Sequence, residues 1–288
     1  MKVGFIGLGV MGQSMAGHIL EAGYDLVVYN RTKSKAKDLV DRGAEWANSP
    51  KQVAELANIV ITIVGYPKDI EEVYLGEDGL FSGAKAGSIF IDMTTSTPSL
   101  AIELAEKGKE LNVGVIDAPV TGGDIGAKEG RLAVLVGAEA DDLEKVGPVI
   151  DTFAAKVAHF GSHGAGQHAK VVNQIMVAGT MLGLAEMMAY AKQADLNLDE
   201  VVATIGSGAA SNRSLENYGP RVIKDDYSPG FFVKHFVKDL KIALDEAKQA
   251  SLELPMTELA YKLYSQLAEQ GHENDGTQAI VKLWWDAN

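Results

Sequence analysis

The sequence contains no cysteine, which removes disulfides, thiolate metal ligands and cysteine nucleophiles at once and fits a cytoplasmic protein. Positive charge is also scarce: 26 Lys and Arg stand against 39 Asp and Glu, a formal net charge of −13. That balance argues against nucleic-acid or membrane partners, so any anionic ligand must meet particular basic residues. No uninterrupted apolar run is long enough to cross a bilayer. The opening KVGFIGLG is broken by glycines with no small-residue cleavage segment behind it, so it reads as a first strand rather than a secretion signal. Internal repeats and low-complexity segments are absent as well. What is present is an ordinary globular mixture, 288 residues with 47% hydrophobic and 23% charged, enough for two domains of moderate size.

Up to about residue 160, short β-rich runs alternate with helical patterns: KVGFIG, DLVVYN, IVITIV, SIFIDM, VGVIDA, LAVLVG and KVAHFG. Apolar runs bounded by turns and separated by helices predict an α/β domain, a mostly parallel sheet covered on both faces. Ser49 before Pro50 and Thr97 before Pro98 read as helix caps. The pattern then changes. From Gln167 to Ala194 the chain carries no proline and is apolar over most of its circumference, which predicts one long, largely buried central helix. Helices are also expected at about 198–205, 233–250, 255–269 and 277–285. The boundary is placed at residue 162, with the doubly wound sheet in 1–162 and an all-helical substrate and oligomerisation domain in 163–288.

Three stretches carry chemistry. Gly7, Gly9 and Gly12 form G-x-G-x-x-G between a strand and a helix, the context in which that spacing signals a Rossmann-type dinucleotide turn. The first glycine permits the turn, the second lets backbone approach the pyrophosphate, and the third lets helix and strand pack closely. The helix that follows directs its free amides at the phosphates, so Leu8, Val10 and Met11 fall within the cradle. At the end of the second strand, where Asp or Glu would accept from both ribose hydroxyls of NAD, stands Asn30. Asn does not repel a 2′-phosphate, Arg31 offers a guanidinium to grip it, and Thr32 adds a hydroxyl. NADP is therefore expected, with NAD as the weaker reading. Further on, DMTTSTP places Thr94, Thr95 and Ser96 at the carboxyl edge of the sheet, and Thr121, Gly122 and Gly123 make a turn suited to an anion. Lys170, Asn173 and Gln174 share one helical face by their three- and four-residue spacing.

The chain resembles the β-hydroxyacid dehydrogenase family over essentially its whole length. The family contains 3-hydroxyisobutyrate dehydrogenase, tartronate semialdehyde reductase and the glyoxylate/succinic semialdehyde reductases. Its glycine motif matches Gly7, Leu8, Gly9, Met11 and Gly12. Its D-A-P-V-S-G-G matches Asp117 to Gly123 with Thr121 for Ser, its G-x-G-x-x-x-K-x-x-N-[NQ] matches Gly164, Gly166, Lys170, Asn173 and Gln174, and its K-D-L matches Lys238, Asp239 and Leu240. The resemblance implies hydride transfer between NADP(H) and a short acid bearing an alcohol or aldehyde, with Lys170 as general acid and base. Reduction needs a proton at the developing alkoxide. Oxidation needs Lys170 neutral, which burial and a nearby Lys238 would favour. Thr121, Gly122 and Gly123 would hold the substrate carboxylate, Asn173 and Gln174 would orient it, and Lys238 would touch substrate or nicotinamide, with Thr95 beside the nicotinamide. Gln174, where many 3-hydroxyisobutyrate dehydrogenases have Asn, points toward the tartronate semialdehyde reductases, and the Thr121 methyl group narrows the carboxylate site. Phe231, Val233 and Met176 are placed near the pocket. A homodimer or homotetramer is expected. A relative that binds cofactor without catalysis would lack Lys170.

Other features resolve into ordinary structure. His159, His163 and His168 lack the common face a metal site needs, so no metal is expected. DLNLDE has Glu200 where a calcium loop needs Gly, and reads as a helix start capped by Asn197. GAGQHAK is followed by Val171 where a phosphate-binding loop needs Ser or Thr. The methionines at 176, 181, 187 and 188 are assigned to core or subunit interface, and Trp284 and Trp285 to packing of the last helix.

Overall fold

The computed structural model describes residues 2–285. Two compact units are present, Met1–Lys170 and Val171–Asn288. The strands are β1 (Lys2–Ile6), β2 (Asp25–Tyr29), β3 (Glu45–Trp46), β4 (Ile59–Thr62), β5 (Ile89–Asp92), β6 (Gly114–Asp117), β7 (Val120–Thr121), β8 (Leu132–Gly137) and β9 (Ala154–Gly161). Between them run α1 (Gly12–Glu21), α2 (Lys37–Asp41), α3 (Pro50–Leu56), α4 (Pro67–Leu75), α5 (Pro98–Glu110), α6 (Gly123–Lys128) and α7 (Ala140–Ile150). Among the described residues they form one sheet ordered β3-β2-β1-β4-β5-β6-β8-β7, with β9 also paired to β8. From β3 to β6 every pairing is parallel. The expected parallel sheet gains an antiparallel corner where β8 meets β6 and β7.

Period-two alternation accounts for the two-sided burial. Val3, Phe5, Val28, Ile61 and Ile91 face one layer with Met15, Ile19 and Val149. Their neighbours Ile6, Val27, Val60 and Phe90 face the other, with Val53, Ile70 and Leu104. Each such side chain contributes about 2 kcal/mol by leaving water, so a one-residue register slip would reverse both layers. The helix starts follow the expected caps: Ser49 Oγ accepts from Gln52 N at 3.2 Å and Thr97 Oγ1 from Leu100 N at 3.2 Å.

The long helix α8 spans Ala165–Gln193, opening in the first unit and continuing in the second. After it come α9 (Leu198–Gly206), α10 (Arg213–Ile223), α11 (Val233–Gln249), α12 (Pro255–Leu267) and α13 (Lys282–Trp285). Asn197 caps α9 as expected, Oδ1 accepting from Glu200 N at 3.1 Å. Ala178, Met181, Leu182, Ala185 and Met188 line one stripe of α8 and pack with Phe236, Leu240, Tyr264 and Leu267. The expectation of a largely buried helix is corrected. By length and composition α8 could cross a membrane, yet only 39% of its most apolar stretch is buried, and Val172, Met176 and Tyr190 are 68%, 68% and 75% exposed. The single chain supplies partners for one stripe of a helix that is apolar nearly all round. Trp284 and Trp285 pack against the same core.

Candidate active site

The glycine turn links β1 to α1. Gly7 has φ +98 and its N–H donates to Tyr29 O at 3.1 Å, which seats the turn on the end of β2. A Cβ on Gly12 would stand 1.9 Å from Gly7 O, whereas one on Gly9 would meet nothing within 4 Å. The third glycine thus allows helix and strand to touch, and the second leaves open backbone for a phosphate, a cradle that fits a dinucleotide. Val10 is exposed and Met11 half-buried at its rim, while the Leu8 side chain lies in the core.

Asn30 has a more specific task than leaving room for a phosphate. Its Oδ1 accepts from Leu8 N at 2.9 Å and its Nδ2 donates to Thr32 O at 2.9 Å. Both ends of the amide are engaged in tying the glycine turn to the turn after β2. Thr32 is exposed, and the Arg31 side chain is 86% exposed with Nη1 3.6 Å from Asp69 Oδ1. So open an ion pair is worth under about 1 kcal/mol.

At the carboxyl edge of the sheet, Thr94 and Ser96 are buried and Thr95 is half-buried. Thr94 Oγ1 accepts from Val64 N at 3.0 Å, so the side chain facing outward from this segment is Thr95. Asp92 and Asp117 end adjacent strands in matching register. Burial pushes Asp92 up to about 7 against hydrogen bonds from Thr94 and Thr62. Burial pushes Asp117 up to about 6 against the amides of Gly164 and Gln167. Thr121 closes β7, and Gly122 and Gly123 follow with φ +131 and +65, a double left-handed turn that glycine alone adopts without strain.

Lys170 is 8% exposed, and its Nζ donates to Val120 O at 3.0 Å, the residue before Thr121. The first unit therefore brings the candidate proton donor to the root of the candidate carboxylate turn. Three residues further along α8, in the second unit, Asn173 Nδ2 donates to Gln174 Oε1 at 2.7 Å and Gln174 Nε2 to Asp239 Oδ2 at 2.7 Å. Lys238 Nζ pairs with Asp239 Oδ1 at 3.0 Å. An ionised carboxylate only accepts, so Asp239 fixes which way the Gln174 amide points, and Gln174 in turn fixes Asn173. Met176 is exposed, Val233 is fully buried and the Phe231 ring lies tilted against Phe236 with centroids 5.4 Å apart. Val233 is therefore core rather than pocket lining.

Sequence reasoning assigned no task to Asp92, Asp117, Gln167 or Asp239. Asp117 and Asp239 sit inside matched motifs, and a carboxylate ending an apolar strand is the signal that was available. Among the described residues no group of three or more His, Asp or Glu side chains is placed to hold a metal. His159 Nε2 lies 2.9 Å from Ala138 O.

A sheet of this order carrying such a glycine turn defines a dinucleotide-binding protein, here with a helical unit after it. Comparison with known proteins agrees. Residues 2–161 match the NAD binding domain of 6-phosphogluconate dehydrogenase, and 164–284 match the NAD-binding domain of NADP-dependent 3-hydroxyisobutyrate dehydrogenase. Over 98% of both chains the protein is 49% identical to an uncharacterized oxidoreductase of Bacillus subtilis. It is 47% identical to a probable mitochondrial 3-hydroxyisobutyrate dehydrogenase-like protein of Arabidopsis thaliana, over 97% of this chain and 84% of that one. It is 35% identical to the 2-hydroxy-3-oxopropionate reductase of Escherichia coli, over 98% and 96%. Among solved structures, a 3-hydroxyisobutyrate dehydrogenase from Salmonella typhimurium superposes with a TM-score of 0.92 at 28% identity, covering 98% and 99%. The chain belongs to the β-hydroxyacid dehydrogenase family.

Proposed function

We propose that the protein is an NADP-dependent oxidoreductase interconverting a small β-hydroxyacid and its semialdehyde, of the tartronate semialdehyde or 3-hydroxyisobutyrate type. The observation that carries this reading is Lys170: buried, with Nζ on Val120 O at 3.0 Å, at the foot of a turn with a hydroxyl and glycine backbone. Bound nicotinamide dinucleotide supplies or accepts the hydride. Lys170 delivers a proton to the oxygen of the carbonyl being reduced, and takes it back in the reverse direction. Thr121, Gly122 and Gly123 hold the substrate carboxylate by a hydroxyl and backbone amides. Asn173 and Gln174, oriented from Asp239, direct the substrate, and Lys238 adds positive charge. Thr95 sits on the nicotinamide side, and Asn30, Arg31 and Thr32 serve the ribose phosphate. The Escherichia coli relative's name supports the choice of a hydroxy-oxo acid. The alternative within the class is a glyoxylate or succinic semialdehyde reductase.

We place the enzyme in the cytoplasm, as a cysteine-free acidic chain, and as a homodimer or homotetramer in which the exposed Val172, Met176 and Tyr190 of α8 are covered. The test is a panel of semialdehydes and hydroxyacids assayed with NADPH and NADP, then with NADH and NAD, on wild type and Lys170→Ala. Turnover should fall by at least about 1,000-fold in the variant, on the scale of a lost general acid, while NADPH binding stays near wild type. Undiminished turnover would refute the role of Lys170.

A further inference from the structure

Asp117 ends β6 with its side chain buried, and its partners are the amides at the start of α8. Oδ1 accepts from Gly164 N at 2.8 Å and Oδ2 from Gln167 N at 2.9 Å. The fit leaves no slack. A Cβ on Gly166 would stand 2.5 Å from Leu135 O and 2.8 Å from Asp117 Oδ2, and one on Gly137 2.6 Å from Asp117 Oδ1. The G-x-G of the lysine motif is thus a seat for this carboxylate. Gln167, fully buried, carries the connection further: Oε1 accepts from Ser96 N at 2.9 Å and Nε2 donates to Thr94 O at 2.8 Å. Lys170 follows one turn later, and its Nζ reaches Val120, three residues beyond Asp117.

We propose that Asp117 and Gln167 are positioning residues for Lys170. The Asp117 carboxylate pins the first turn of α8, and Gln167 ties that turn to the Thr94–Ser96 segment, so that Lys170, Thr95 and the Thr121–Gly123 turn keep one mutual geometry. The proposal rests on the role assigned to Lys170 above. Two converging N–H donors need an acceptor-only group, which an ionised carboxylate is and an amide is not. At 167 one neighbour donates and the other accepts, which a carboxamide satisfies at both ends and neither Glu nor Leu does. Among the described residues the charged neighbour of Asp117 is Asp92 on β5, whose carboxyl the Asp117 charge helps to raise.

Asp117→Asn and Gln167→Leu in the full chain decide it by steady-state kinetics and by amide hydrogen exchange. In both variants kcat should fall roughly 100-fold, as for a reacting group displaced by about 1 Å, with KM for NADPH within about twofold of wild type. Exchange should quicken at residues 164–170 and 94–97 while β1 and α1 keep their protection. Unchanged kcat in a folded variant would overturn the proposal, as would loss of protection spread evenly over the first unit. Gln167→Leu alters no charge and decides alone if Asp117→Asn does not fold. A wild type inactive on every aldehyde would sink the proposed function, and the exchange pattern would still decide whether Asp117 and Gln167 pin α8.

Discussion

Replacing Asp92 with Asn probes the cost of the carboxylates buried at the sheet's edge. Asp92 Oδ1 accepts from Thr94 N at 2.9 Å and Thr62 Oγ1 at 3.3 Å, contacts that the Asn carbonyl oxygen can repeat. Burial lifts the group from 3.8 to about 7. A carboxyl whose folded pKa exceeds its unfolded value holds its proton more tightly in the folded state, so it favours folding at low pH and ceases to as pH rises between those two values. The full shift corresponds to about 4 kcal/mol. Relaxation around the buried charge reduces the expected effect to about 2 kcal/mol. Because Asn does not ionise, the variant should gain about 2 kcal/mol over wild type on going from about pH 4.5 to about pH 8, whatever its offset at the acid end. Asp117, raised to about 6, still titrates in the variant and leaves a shallower slope. Urea denaturation of both proteins across that range is the assay. A difference between variant and wild type that does not change with pH would refute the reasoning.

Two further substitutions test the cradle. Gly12→Ala puts a methyl group 1.9 Å from Gly7 O, an overlap only a shift of α1 from β1 relieves; thermal melts should show a loss of about 3 kcal/mol, and NADPH titration should show weakened binding. Asn30→Asp keeps the acceptor for Leu8 N, loses the donor to Thr32 O and sets a negative charge at the turn proposed to meet the ribose. The ratio of kcat/KM for NADPH over NADH should drop at least about tenfold, the size of a partly screened like-charge contact, and an unchanged ratio would count against selection at this turn.

The architecture was legible where burial imposes a period. All seven expected strands are present: a strand covered on both faces must be apolar along its length, whereas β9, with no buried residue, is held by its pairing to β8. β3 and β7 were missed since two-residue strands carry no period. Helix α10 escaped because Gly219 and Pro220 interrupt it; Leu215 and Val222 still face the core, and Asn212 caps it by accepting from Leu215 N at 3.0 Å. Tertiary contact decided the last expected helix. Thr277 N donates to Phe231 O at 3.0 Å and Ala279 N to Gly276 O at 2.9 Å, which tightens residues 277–281 into a 3₁₀ turn before α13.

The site was legible by residue type and spacing, and illegible in what holds it. A glycine turn or a lysine one helical turn before an Asn announces itself locally, whereas the groups that hold the start of the lysine helix reach partners 47 to 73 residues away. Asp117, Gln167 and Asp239 are recognisable only once strand ends and helix starts are in place. Their burial is informative in its own right. A carboxylate lifted to about 6 by desolvation is ionised at neutral pH at the expense of folding stability, and an apolar residue ending β6 would avoid that expense. What the apolar residue would not provide is an acceptor for Gly164 N and Gln167 N, the two amides at the start of α8. The stability cost and the geometric gain fall on the same residue, so substitution at Asp117 should separate them: a neutral side chain there trades the placement of Lys170 for relief from a buried charge.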